Sequence, residues 1–241
     1  MSKLMQTTHE KTMSGAVFCY DPDVITQADP QIFDPEWHAG RSGITGQSIG
    51  RGCAYFLELD GHALVLRPFR RGGLIGRLIK DGYLRVGASA SRGFCEYHLL
   101  AWMRARGLPV PHPVAAHYKP VGLWYRADLI TKRIANARPL ADVIAEVALP
   151  DTIWAQIGAV VRQMHDLGVD HTDLNCRNIL IDDAHKIWLI DFDKCARRAA
   201  GSWTTGNLDR LKRSLQKERA KAMLHWSEAN WAALTKGYDT A

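Results

Sequence analysis

Residues 168–182 read GVDHTDLNCRNILID, and residues 188–193 read WLIDFD. Short apolar runs at Ile179–Ile181 and Ile187–Ile190 have the length and β-branched content of strands. Asp173 and Asn178 stand five residues apart just ahead of the first run, and Asp191 closes the second, thirteen residues after Asn178. The pattern predicts a β-hairpin with a carboxylate and an amide before one strand and a carboxylate at the end of the other. A plain polar turn would also use Asp and Asn, because their side chains bond the nearby backbone. Such a turn has no need of His171 two residues before Asp173, nor of an aspartate borne on an apolar strand.

Outward from the hairpin, the second half of the chain reads as mostly helix. Leu140, Val143, Ile144 and Val147 have helical spacing. So do Ile153, Ile157, Val160, Val161 and Met164, with Asp151 as N-cap and Gly168 as stop. The tail from Asn207 to Gly237 reads as helical and basic. The first half is β-rich. Gly43, Gly46, Gly50 and Gly52 precede the apolar run 53–59, the turn Asp60-Gly61 and the run 62–69, a strong hairpin signal. Residues 91–106 read as a helix with Cys95, Leu99, Trp102 and Arg106 on one stripe and Gly107 as its stop. The proline-rich stretch 108–114 breaks it, and Tyr125–Ile134 reads as a strand. Residues 1–40 read as a loose lead-in with a short strand at Ala16–Tyr20. The expected division is a lead-in (1–40), a β-rich lobe with one helix (41–134) and a helical lobe (135–241), in an α+β fold.

Composition narrows the function classes. The chain has 241 residues, 46% hydrophobic and 23% charged, which excludes a disordered tail, a collagen-like fibre and a coiled coil. Lys plus Arg is 31 against 25 for Asp plus Glu, a net charge of +6, and an excess of this size favours an anionic partner. No aromatic stacking motif or groove-reading helix accompanies it, so nucleic acid is not expected. The five cysteines are scattered, and none forms a CxxC. Neither a zinc site nor a disulfide framework is indicated, and reduced thiols in an intracellular protein are the simplest reading. Residues 1–15 hold no apolar core of a secretory signal, and no apolar run approaches the roughly 18 residues of a membrane span. The basic residues Arg67, Arg70, Arg71, Arg77, Lys80, Arg85 and Arg92 alternate with Leu74, Ile75, Leu78 and Ile79. That texture suits an anionic lipid surface, and equally a solvated face beside a core stripe.

The segments His171–Asn178 and Asp191-Phe192-Asp193 resemble the catalytic loop and metal motif of the protein-kinase-like superfamily. The resemblance is closer to the lipopolysaccharide core kinases, in particular those acting on 3-deoxy-D-manno-octulosonic acid (Kdo). Its carriers are residues 65–85, 91–116, 128–144, 170–182, 188–195 and 207–218, together spanning about Gly50 to Lys217. It implies a bilobal fold with ATP between a β-rich lobe and a reduced helical lobe. It implies an ATP- and Mg²⁺-dependent phosphotransferase that acts on the Kdo 4-hydroxyl of a Kdo-bearing lipid A precursor. The place of action would be the cytoplasmic face of an inner membrane, with peripheral attachment and no obligate protein partner. By the same resemblance Asp173 is the catalytic base, and Asn178 and Asp191 are metal ligands. Arg67 and Glu96 are the nucleotide-positioning pair, with Lys80 as the alternative cation. Gly50 and Gly52 cover the phosphates, and Thr131 and Arg133 belong to the hinge that meets adenine. The chemistry suits the residue types: Mg²⁺ takes hard oxygen ligands, and a hydroxyl that attacks phosphorus needs a nearby carboxylate to accept its proton.

Several positions depart from the protein-kinase pattern. Arg67 stands where a lysine is usual; its planar fork holds a carboxylate and a phosphate together. Thr172 replaces the arginine that reads a phosphorylated activation loop, so such switching is not expected. Asp193 replaces the glycine of D-F-G, as a second metal ligand or as a polar neighbour. Only 48 residues follow Asp193 and no A-P-E appears, which favours a small-molecule or glycan acceptor over a protein. Another small-molecule or heptose kinase of this superfamily, or a non-catalytic kinase-like binding module, would share much of this pattern. Turnover of ATP with a Kdo glycolipid separates them.

Overall fold

The computed structural model describes residues 7–26, 29–41, 43–48, 54–69, 83–220 and 224–241. The chain is α+β and divides into two compact units, Met1–Ala105 with His112–Arg133 and Arg106–Pro111 with Ile134–Ala241. The short crossing 106–111 groups with the second unit for a visible reason: the Leu189 N–H donates to the Pro109 carbonyl at 3.0 Å.

The first unit is built on one sheet. Its strands are β1 (His9–Met13), β2 (Ala16–Tyr20), β3 (Ile44–Ser48), β4 (Ala54–Leu59), β5 (His62–Pro68), β6 (Tyr83–Leu84), β7 (Pro113–Val121) and β8 (Trp124–Lys132). The order is β1-β2-β7-β8-β5-β4-β3, with β6 paired to the start of β8. The β4–β5 hairpin turns as expected at Asp60 and Gly61, whose φ angles of +52° and +74° form the left-handed pair of a two-residue hairpin turn.

Two expectations are corrected here. The lead-in is not loose. Beyond the expected strand Ala16–Tyr20, residues 9–20 form a hairpin joined to β7. Ile25, Ile32 and Phe33 then bury themselves with Phe18, Leu64, Leu66 and Ile130 in the core on one sheet face. A sheet with one open apolar face needs such a cover. A short helix, α1 (Pro35–Ala39), follows, capped by Asp34. The second correction is the register of helix α2 (Arg92–Ala105). Its buried residues are Phe94, Tyr97, Leu100 and Met103, whereas Cys95 is exposed. The apolar residues of this segment support two stripes. Gly93 selects one, because a Cβ there would stand 2.9 Å from the Asp128 carbonyl, so the helix approaches β8 on that side.

The second unit holds β9 (Arg138–Pro139), α3 (Leu140–Glu146), α4 (Asp151–Asp166), β10 (Val169–Asp170), β11 (Ile179–Ile181), β12 (Ile187–Leu189), β13 (Ala196–Arg197), α5 (Trp203–Arg219) and α6 (Glu228–Thr240). Asp151 is not the N-cap of α4. Pro150 holds that position and Asp151 lies in the first turn, where its charge complements the helix dipole. Gly168, at φ +70°, does follow the helix end. The basic tail is two helices, with Ser227 and Asn230 forming a capping box at the start of the second. Helices α4 and α6 touch backbone to backbone. A Cβ on Gly158 would lie 2.0 Å from the Leu234 carbonyl oxygen, and one on Gly237 would lie 2.1 Å from that of Ala155. Among the described residues no helix is long and apolar enough to cross a membrane.

The α4–α6 contact buries His165, whose Nδ1 pairs with the Tyr238 hydroxyl at 2.8 Å and whose ring meets Trp203 edge-on. Burial pushes its pKa down to about 4 from 6.5. A histidine held neutral in the fold stabilises it fully above pH 6.5 and loses that contribution as pH falls toward 4. Urea melts should show stability dropping over this window by about 3 kcal/mol from this group. The slope should flatten in His165→Gln; an unchanged slope would remove the assignment.

Candidate active site

The hairpin of the second unit has the predicted form. Strands β11 and β12 pair antiparallel with Ile179 opposite Leu189, and the pairing runs on so that the Ile190 N–H donates to the Asn178 carbonyl at 3.0 Å. Asn178 therefore stands beside the chain that enters Asp191. Asp182 ties the far end, accepting from the amides of Ala184 and Lys186 and from the Trp188 indole. Asp191 has φ +65°, a left-handed conformation that aspartate tolerates better than most residues but that still costs on the order of 1 kcal/mol. Strained backbone of this kind concentrates at functional positions.

The loop before β11 is held from within. His171 is fully buried, its ring 4.7 Å from that of Phe192. The Asp173 N–H donates to His171 Nδ1 at 3.3 Å, so the ring proton sits on Nε2, which donates to the Ile190 carbonyl at 3.0 Å. Burial holds the His171 pKa below its ordinary value, which keeps this neutral tautomer in place. The Asp173 carbonyl accepts from both the Asn175 and Asn178 amides, at 2.8 and 3.0 Å. Its own side chain is left exposed, as a group that meets a diffusing acceptor must be.

Asn178 thus commits its Nδ2 to the loop, which leaves its amide oxygen as a hard donor on the strand beside the one that leads into Asp191. This set fits Mg²⁺, which is typically held by one or two carboxylates together with substrate phosphates and water. Among the described residues no cluster of three or more His, Cys, Asp or Glu side chains forms a closed metal cage. Asp193 lies on the same turn, its carbonyl 3.4 Å from the Thr172 hydroxyl.

Three further residues escaped sequence reading, and all lie on α5. The buried Asn207 donates to the Asp170 carboxylate at 2.9 Å and accepts the His171 N–H at 3.0 Å. Ser214 accepts the Cys176 N–H at 3.0 Å. Glu218 pairs with Arg177 at 2.6 Å, and Asp142 meets the same guanidinium at 3.4 Å. Asn207, Ser214 and Glu218 share one helix face with the buried Leu211 and Leu215. The signal in the sequence was polar residues set at helical spacing within the apolar stripe.

In the first unit Arg67 on β5 and Glu96 on α2 are brought together as an ion pair, with Glu96 only 3% exposed and Arg67 24%. The Arg67 guanidinium also lies 5.0 Å from the Phe69 ring centre. Thr131 lies within the sheet, paired with both Val65 and Pro113. The Lys132 and Arg133 N–H groups are taken up by the His112 and Ala63 carbonyls at 2.8 and 2.9 Å. The Arg133 guanidinium stacks 4.4 Å above Phe56. The Lys132 and Arg133 amides are therefore already engaged within the sheet and are not open to a purine. Gly50, Gly52 and Lys80 lie outside the described residues.

Comparison with known proteins places these features in a wider set. The model of the "Lipopolysaccharide kinase (Kdo/WaaP) family" matches residues 35–238. The chain is 43% identical over 222 residues to a 3-deoxy-D-manno-octulosonic acid kinase of Vibrio vulnificus, covering 92% of this chain and 94% of that one. The protein of that name from Haemophilus influenzae (strain 86-028NP) is 39% identical over 238 residues, covering 95% and 99%.

The α5 clamp is open to test without any substrate. Asn207→Leu keeps the volume but strands the buried His171 N–H and removes the donor to one Asp170 oxygen, while the other keeps Arg198 at 3.2 Å; the cost is about 2 kcal/mol. Urea melts should show that loss, and hydrogen exchange should show faster exchange at the His171 amide. Protection there equal to wild type would rule out the clamp.

Proposed function

The chain belongs to the lipopolysaccharide kinase (Kdo/WaaP) family, and from that premise we propose that it phosphorylates the Kdo 4-hydroxyl of a Kdo-bearing lipid A precursor, using ATP and Mg²⁺. Family membership makes it a kinase, an enzyme that transfers a phosphoryl group, of the α+β protein-kinase-like class. The name shared by its Vibrio and Haemophilus relatives supports Kdo as the acceptor sugar. The observation that carries the mechanism is the loop geometry. The Asn178 amide and His171 fix the backbone of Asp173 while its carboxylate stays exposed.

In this reading the acceptor oxygen attacks the γ-phosphorus, the bond from that phosphorus to the ADP oxygen breaks, and Asp173 accepts the hydroxyl proton. Asn178 and Asp191 would hold Mg²⁺, which when bound would neutralise charge on the phosphate oxygens. Arg67, oriented by Glu96, brings its positive charge to the same phosphates; a guanidinium already locked by a carboxylate loses little freedom on binding. Positioning and charge stabilisation are the main demands of phosphoryl transfer. The lipid on the acceptor brings the enzyme to the cytoplasmic face of the inner membrane as a peripheral protein. The basic run of Arg70, Arg71, Arg77 and Lys80, outside the described residues, supplies headgroup contacts there.

The test is ATP turnover with a purified Kdo glycolipid, set beside a heptose-bearing acceptor, with the product position read by NMR. Asp173→Ala should lower kcat by roughly 10²–10⁴-fold while ATP affinity stays close to wild type. Asp191→Asn should also weaken Mg-nucleotide binding and shift the Mg²⁺ dependence. Turnover on the heptose acceptor alone, or near-normal kcat in Asp173→Ala, would sink the reading.

A further inference from the structure

The end of the first unit's sheet where β7 turns into β8 is unusually apolar for an exposed surface. Leu123 is 78% exposed and Leu84 65%, with Val121 and Val86 at 46% and 40%. These are four of the six large hydrophobic residues that stand exposed among the described residues. They are not scattered. Leu84 pairs with Trp124, the Arg85 N–H donates to the Leu123 carbonyl at 2.9 Å, and the Tyr118 hydroxyl donates to the Val86 carbonyl at 2.5 Å. The ladder holds all four side chains at one tip. Contiguous exposed apolar groups at fixed positions mark an interaction surface.

The charges around the tip say what kind of partner fits. Residues 83–92 and 119–127 carry Arg85, Arg92, Lys119 and Arg126 and no aspartate or glutamate. Lys119 and Arg126 stand directly opposite each other on β7 and β8, a like-charge pair that destabilises a sheet unless an anion lies over it. Two carboxylates line the adjacent cleft with them, and both are engaged elsewhere. Asp128 pairs with His117 at 2.9 Å, and Asp34 caps α1. Apolar side chains at the tip with cations set just behind them match the layering of a bilayer, acyl chains below anionic headgroups.

We propose that this sheet end is the membrane-docking surface of the enzyme: Leu84, Val86, Val121 and Leu123 enter an anionic bilayer while Arg85, Lys119 and Arg126 engage its phosphates. The assignment rests on the lipid-borne acceptor proposed above and adds the surface that meets the lipid. It uses none of residues 70–82.

Vesicles of phosphatidylglycerol and phosphatidylethanolamine, without acceptor, are the probe. The wild-type full chain should co-sediment with them and be released by salt. Leu84→Asp/Leu123→Asp should bind about tenfold more weakly or worse. Lys119→Ala/Arg126→Ala should bind several-fold more weakly at low salt, with a shallower salt dependence, and Val147→Asp, at an exposed apolar position of the other unit, should bind as wild type. The first double variant should phosphorylate a soluble, deacylated Kdo acceptor at the wild-type rate, which shows that it folds. Wild-type failure to bind the vesicles, or equal binding by Leu84→Asp/Leu123→Asp, overturns the assignment. So does light scattering that shows a dimer dissociated by those substitutions. If vesicles are bound but the soluble acceptor is never phosphorylated, docking stands and the kinase reading falls.

Discussion

The side chain of Asn207 reaches from α5 into a buried setting and makes two hydrogen bonds, one to the Asp170 carboxylate and one to the His171 amide. The loop 170–178 depends on them, because the His171 N–H would otherwise be stranded away from water, at a cost larger than an ordinary hydrogen bond is worth, and the buried Asp170 carboxylate would be left with Arg198 as its partner. His171 then passes the constraint on. Its ring ties Asp173 on one side to Ile190 on the other, so the exposed Asp173 and the strand end that leads into Asp191 share one anchor. Ser214 and Glu218, on the same face of α5, repeat the hold at Cys176 and Arg177. A helix is a stiff rod, and three grips along it leave the loop little freedom to shift.

What was legible in the sequence was local. The β11–β12 hairpin, the strand and turn at Asp60-Gly61, and the ends of α2 and α4 are written in short-range patterns of apolar spacing and glycine. The spacing of Asp173, Asn178 and Asp191 is likewise a short-range property of one hairpin. What was not legible required knowledge of a partner. The stripe of α2 follows from a close approach to the Asp128 carbonyl across the sheet, which no spacing within the helix shows. The N-terminal residues look loose when read alone because their apolar residues answer a sheet face assembled from far along the chain. Asn207 looked like an ordinary polar position in a basic helix until its buried partners were in view.

The ion pair of Arg67 and Glu96 illustrates a different economy. A carboxylate this buried needs a cation and several donors to offset its lost hydration. A lysine would offer one compact charge. The guanidinium offers five donors in a plane, so Glu96 takes up only part of the fork. The Phe69 ring beside it supports that plane. Arginine at this position therefore satisfies the buried carboxylate while its own side chain stays partly exposed.

The near-touching backbones of α4 and α6 bear on how the protein is made. Gly158 and Gly237 meet across the second unit, yet the ribosome adds the residues between them one at a time, which takes several seconds at roughly 5–20 residues per second. Throughout that interval the α4 face around Ala155, Gly158 and His165 has no α6 to lie against. The nascent chain must carry an unsealed apolar surface until α6 emerges, and in that window a holdase chaperone or a neighbouring nascent chain competes with the native helix for the same groove.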